Sequence, residues 1–243
     1  MSSLIERFNT PLPSWIYEIK KEVRQKVMRS RLILDCREGN DEAKKILMIR
    51  YWPFVDEFSE IIRRHQLRIS AREFLRHPIL SLFLLDTVSK ILADTREDEK
   101  DHRSLWIDTS LALSLNESDL YLRENYYGAP EPEVYKIIEK VDESVSIFGN
   151  KTPSSIVLLR LVAVEIVAEA ISHELLVVFN DFGENAIKLF KAHIYHKENV
   201  MSYEELVFRM AFAFDHKMPE KHKTNKVIQE ITDLFIEAGE LPI

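Results

Sequence analysis

Residues 151–180, KTPSSIVLLRLVAVEIVAEAISHELLVVFN, constrain this chain more than any other stretch. They read as one long helix that is apolar nearly all round, whereas a helix with one face in water needs only an apolar stripe. The segment therefore belongs in the middle of a protein. Thr152 and Pro153 give it a start signal, and Asn180, Asp181 and Gly183 give it an end. Glu165, Glu169 and His173 are set into it at intervals of four residues. At about 100° per residue such a series drifts only about 40° per step, so the three share a face. Leu158, Leu161 and Val162 precede them on that face and Leu176 follows, which makes the polar patch local. A buried carboxylate is costly without a partner. Solvation or ion pairing is one answer, and a metal ion is another.

The rest of the sequence calls for more helices. Its five glycines, Gly39, Gly128, Gly149, Gly183 and Gly239, all lie between helical patterns or at the end of one. Long helices joined by short loops use glycine in this way. No long alternation of apolar and polar residues marks a strand. The expectation is an all-α fold, with residues 1–243 forming a single helical domain. Arg160, Glu165 and Glu169 interrupt the most apolar segment, which argues against a membrane span. MSSLIERFNT lacks a signal-peptide pattern and Cys36 is the sole cysteine, so a cytoplasmic protein is expected. A net charge of −7 argues against nucleic acid as a partner. A homodimer through an exposed apolar helix face is a further expectation for a helical protein of this size.

Taken in order, the pattern predicts a helix over 14–38, then one from Asp41 to about Gln66 that Pro53 kinks or splits. Ser70 and Glu73 read as a capping box opening a third helix, which Pro78 bends. The charged run 94–103 reads as a solvated helix end or loop, and Gly128, Pro130 and Pro132 as a loop. Helices are expected over 184–199, from Ser202 through Phe214 with Glu205 in a second capping box, and over 219–238.

Three of these segments carry metal-ligating residue types. The charged run offers Glu99-x-x-His102, the central helix Glu165 and Glu169, and the following helix His193 and His196. Spacings of three or four residues put two ligands on one helix face, as in bundles that hold carboxylate-bridged iron or manganese. Carboxylate and imidazole ligands together suit non-heme iron better than structural zinc.

ILADTREDEKDHRSLWIDTSLAL resembles a helix of the CADD-like and TenA/PqqC-related proteins of the heme-oxygenase-like fold. There an acidic residue is followed by a histidine and a Leu-Trp pair, matched by His102, Leu105 and Trp106. LVAVEIVAEAISHEL is similar to the family's ligand-glutamate helix, placing that role on Glu165, and KLFKAHIYHKENV to its later helix, placing a ligand on His193. The likeness runs from roughly residue 70 to 200 and departs at the metal motif. Thr95 stands where the usual first glutamate would be, and Lys197 and Val200 where the later helix has aspartate and histidine. Asp94, Glu97 or Glu99 would substitute for the first, Glu99-x-x-His102 being a spacing found in the family, and His196 and Glu198 are the nearest replacements for the other two. The resemblance implies a compact multi-helix bundle. It also implies an oxidoreductase holding one or two non-heme irons at Glu99, His102, Glu165, His193 and His196. Oxygen would be activated against a small-molecule substrate, an organic acid that is fatty-acid-like or derived from an amino acid. Glu169 is the candidate acid/base group. The fold also serves metal-free proteins that bind a small ligand or a protein partner, and Lys197 would favour that reading by pairing with Glu165 or Glu169. A thiol nucleophile would rest on Cys36.

Overall fold

The computed structural model describes residues 11–76, 78–121, 132–143, 152–194, 203–214 and 220–240, without the side chains of 76, 78–88, 95, 97–99, 132 and 203. Its helices are α1 (Trp15–Val27), α2 (Arg31–Arg37), α3 (Asp41–Arg76), α4 (Pro78–Ala112), α5 (Glu117–Tyr121), α6 (Pro132–Asp142), α7 (Ser154–Phe179), α8 (Glu184–Ile194), α9 (Tyr203–Phe214) and α10 (Lys221–Gly239). No strand occurs among the described residues, and the fold is all-α.

The expected central helix is α7. It packs against α1, α2, α3, α6, α8, α9 and α10, which accounts for a sequence apolar on every side. Leu158, Leu161, Val162 and Val167 are wholly buried. Its end is a 3-10 turn, Asn180–Phe182, followed by Gly183 at φ +95°, a conformation that favours glycine. Beside it, α3 and α4 pair lengthwise and antiparallel. Trp106 Nε1 donates to the Met48 carbonyl at 3.0 Å, Arg103 Nε to Asp56 Oδ1 at 2.8 Å, and Gln66 Nε2 to the Ser89 carbonyl at 3.0 Å.

Several expected boundaries moved. The helix over 14–38 is two helices, because Ser30 is extended (φ −66°, ψ 140°) and opens α2. Pro53 does not split α3. It forfeits one backbone donor, but Trp52, Phe54, Phe58 and Ile61 are buried on both sides of it, and their packing carries the helix through. Ser70 begins nothing: it lies inside α3, and Glu73 accepts from Ser154 Oγ at 2.6 Å rather than capping a helix start. Pro78 is the first residue of α4, where its missing N–H costs little. The charged run 94–103 lies within α4. The loop expected at Gly128 and Pro130, and Ser202 of the second capping box, lie outside the described residues; Glu205 receives Arg209 at 2.7 Å. Among the described residues, no helix is long and apolar enough to cross a membrane.

Candidate active site

Between α3, α4, α7, α8 and α10 lies a cavity of about 90 Å³. Five elements build its wall, four of them through residues at helix-face spacing. From α3 come Leu47, Tyr51, Phe54 and Phe58, from α4 His102 and Trp106, and from α7 Glu165, Ala168 and Ser172. His193 and Phe190 come from α8 and Phe235 from α10. The lining is almost entirely carbon. Two of its polar atoms point elsewhere, since the Tyr51 hydroxyl donates to the Phe235 carbonyl at 2.6 Å and the Trp106 indole N–H to Met48.

At one end the wall turns polar. The rings of His102 and His193 stand 4.4 Å apart between centroids at 43°, and His193 Nδ1 lies 3.9 Å from Glu165 Oε2. That last separation exceeds a hydrogen bond. It also lies just inside the about 4.2 Å that two donor atoms can span on one ion with bonds of about 2.1 Å. Thus His102, Glu165 and His193, from three helices, are brought to one cavity. Two imidazoles and a carboxylate form a donor set suited to ferrous iron. Among the described residues, however, no three His, Cys, Asp or Glu side chains are gathered closely enough to make a formed metal-ligand group. The Glu99 side chain and His196 lie outside the described residues, as do Thr95's side chain, Lys197 and Val200.

Glu169 is not among the residues lining the cavity. One turn beyond Glu165, its Oε2 sits 2.6 Å from Lys20 Nζ of α1, and its Oε1 lies 3.8 Å from His173 Nε2. Lys20 also holds Glu204 of α9 at 2.9 Å. Burial alone would lower the Lys20 pKa, but Glu204 and Glu169 outweigh it and hold it above its ordinary value. Burial raises the Glu204 carboxyl against the pull of Lys20. A cation does meet a central carboxylate, and it is Lys20 of the first helix.

Cys36 lies in the core, where burial pushes its thiol up to about 12; a thiol so placed stays neutral and is no nucleophile. His65, which Arg63, Arg64 and Arg68 flank in the sequence, is fully buried. Its Nε2 donates to the Val141 carbonyl of α6 at 2.7 Å, and burial lowers its pKa to about 4.

No family model matches the chain, and no curated protein matches it. A solved structure does. The chain superposes on a TenA homolog from Pseudomonas syringae pv. tomato str. DC3000 with a TM-score of 0.67, covering 93% of each chain at 16% identity. The fold is TenA-like. At that identity the likeness concerns architecture: a TenA-like bundle of helices enclosing a cavity. Sequence reasoning missed the aromatic wall of this cavity, although Leu47, Tyr51, Phe54 and Phe58 recur at helix-face spacing around Pro53.

Proposed function

We propose that this chain is an enzyme acting on a small organic acid inside the cavity, as an oxygen-activating oxidase or oxygenase whose non-heme iron is held by His102, Glu165 and His193. The observation that supports it is the convergence of these three groups on a single apolar space. Bound there, iron would supply the one-electron and oxygen chemistry that protein side chains lack. The chain's own residues supply the setting. Phe54, Phe58, Phe190 and Trp106 keep water from the reacting end. The imidazoles His102 and His193 can receive the acid head of a substrate as well as an ion. Tyr51 and Trp106, tied to backbone carbonyls, hold the wall in shape.

A second reading, a metal-free protein that binds a small ligand in the same cavity, is favoured by one observation: the described residues hold no formed three-ligand group. Anaerobic titration with ferrous ion separates the two. A real site gains about 2.7 kcal/mol of unfolding free energy when ferrous ion is a hundredfold above its dissociation constant. Iron binding predicts that gain in the native chain and its loss in His102→Ala. An unchanged stability in the native chain would leave the metal-free reading.

A further inference from the structure

Buried donors that lack an acceptor gather in one place, away from the cavity. Among the described residues four buried side-chain N–H nitrogens have none: Trp52 Nε1, Arg68 Nη1, and Nε and Nη1 of Arg160. Three of the four belong to two arginines, and both arginines reach the same turn of chain. Arg68 Nη1 lies 3.7 Å from Asp142 Oδ1, and Arg160 Nη2 donates to Glu143 Oε2 at 2.7 Å. Asp142 is the last residue of α6, and Glu143 follows it. The carboxylates at this junction are already engaged. Asp142 receives Arg64 at 3.0 Å, Glu143 also receives Thr152 and lies 3.5 Å from Lys140, and Glu73 receives Ser154. Arg160 is 4% exposed, so solvent cannot serve its two remaining nitrogens. A buried charged donor without an acceptor is costly and calls for an ion or a water.

The start of α7 lies beside them and is short of acceptors as well. Glu143 Oε1 receives Thr152 Oγ1 at 3.1 Å while Arg72 Nη1 donates to the Thr152 carbonyl at 2.5 Å, which sets Arg160 and Arg72 next to the first turn of the helix. Pro153 precedes Ser154, and no side chain caps the helix. The Pro153 carbonyl takes the N–H groups of Ile156 and Val157, which leaves those of the buried Ser154 and Ser155. An uncapped start of this kind is the positive pole of a 26-residue helix, a place suited to an anion.

We infer that the junction of α3, α6 and α7 binds a phosphate-type oxyanion, held by Arg68 and Arg160 against the first turn of α7. Arg68, with 33% of its side chain exposed, is the side from which the ion enters. Phosphate suits the place better than chloride, because its several oxygens can meet donors that come from two arginines and a helix end. None of these residues lines the cavity, and the inference does not depend on iron.

Inorganic phosphate, titrated calorimetrically into the full chain at constant ionic strength, tests it, with sodium chloride as the control. One phosphate per chain is expected, and no saturable heat from chloride. Glycerol 3-phosphate run in parallel identifies the source: it binds as well as phosphate if the ligand is the head of an ester, and not at all if the ligand is the free ion. Arg160→Gln and Arg68→Gln each weaken phosphate at least about tenfold. Arg31→Gln removes the same charge from an exposed position on α2 and leaves the affinity unchanged. Helix content is checked first, and if Arg160→Gln does not fold, Arg68→Gln at the open side decides.

No saturable binding at millimolar phosphate would overturn the inference and leave water as the acceptor. Equal binding of chloride, the mark of a loose counter-ion, would overturn it too. So would an unchanged affinity in the folded arginine variants.

Discussion

Glu165 and Glu169 are the same residue one turn apart on one buried helix, and they end in different chemistry. Glu165 lines an apolar cavity with two imidazoles nearby, while Glu169 reaches outward to Lys20. A drift of about 40° over four residues is enough to move one carboxylate from the cavity wall to the seam with α1. What surrounds a side chain therefore decides its role more than its helical register does. The Glu169 side forms a closed electrostatic cluster: Lys20 serves Glu169 and Glu204, and next along the seam Arg24 and Arg37 both serve Glu174. Groups arranged this way fix the positions of helices. The cavity side keeps its polar groups in reach of a ligand.

The contrast yields a ranked set of tests. The largest effect lies away from both carboxylates and gauges the rest of the core. His65 has a folded pKa of about 4 against 6.5 in the unfolded chain. The unfolded state binds the extra proton between those values, so the contribution of neutral His65 is complete above pH 6.5, falls as pH drops through the window, and is gone below pH 4. The loss amounts to about 3 kcal/mol, measured by urea denaturation at pH 7 and pH 4.5. His65→Gln should flatten that slope. Next comes Lys20→Met, which strands Glu169 and the buried Glu204 together and should cost about 2–3 kcal/mol. A cost below about 0.5 kcal/mol would mean that the cluster positions nothing. Glu169→Gln keeps the shape and one hydrogen bond to Lys20 and should cost about 1 kcal/mol. Smallest is Glu165→Gln: the amide has the shape of the carboxylate at the cavity wall, so in metal-free protein it should shift stability by under about 0.5 kcal/mol. A large loss there would make Glu165 as structural as Glu169.

The all-α class, the buried central helix and its glycine-marked end were legible because they follow from local rules about apolar faces and turn residues. So was the grouping of His102, Glu165 and His193, although it came through a resemblance and not from spacing. Other features depend on partners distant in sequence. Ser70 and Glu73 make a sound capping box by pattern, but nothing local reveals that Ser154 will claim Glu73. Nothing local in the sequence reveals that Lys20, from the first helix, will meet Glu169. His65 is flanked by Arg63, Arg64 and Arg68 and reads as solvated, but α6 covers it. Each miss is a tertiary contact overriding a local signal.

The direct test of the central claim is a matched pair. The native chain, Glu165→Gln and Glu169→Gln are each loaded with ferrous ion without oxygen, desalted and assayed for iron. Retention of iron by the native chain and by Glu169→Gln, with its loss in Glu165→Gln, is the predicted result. Equal retention in both variants, or none in the native chain, would contradict the assignment of Glu165 to a metal-binding cavity.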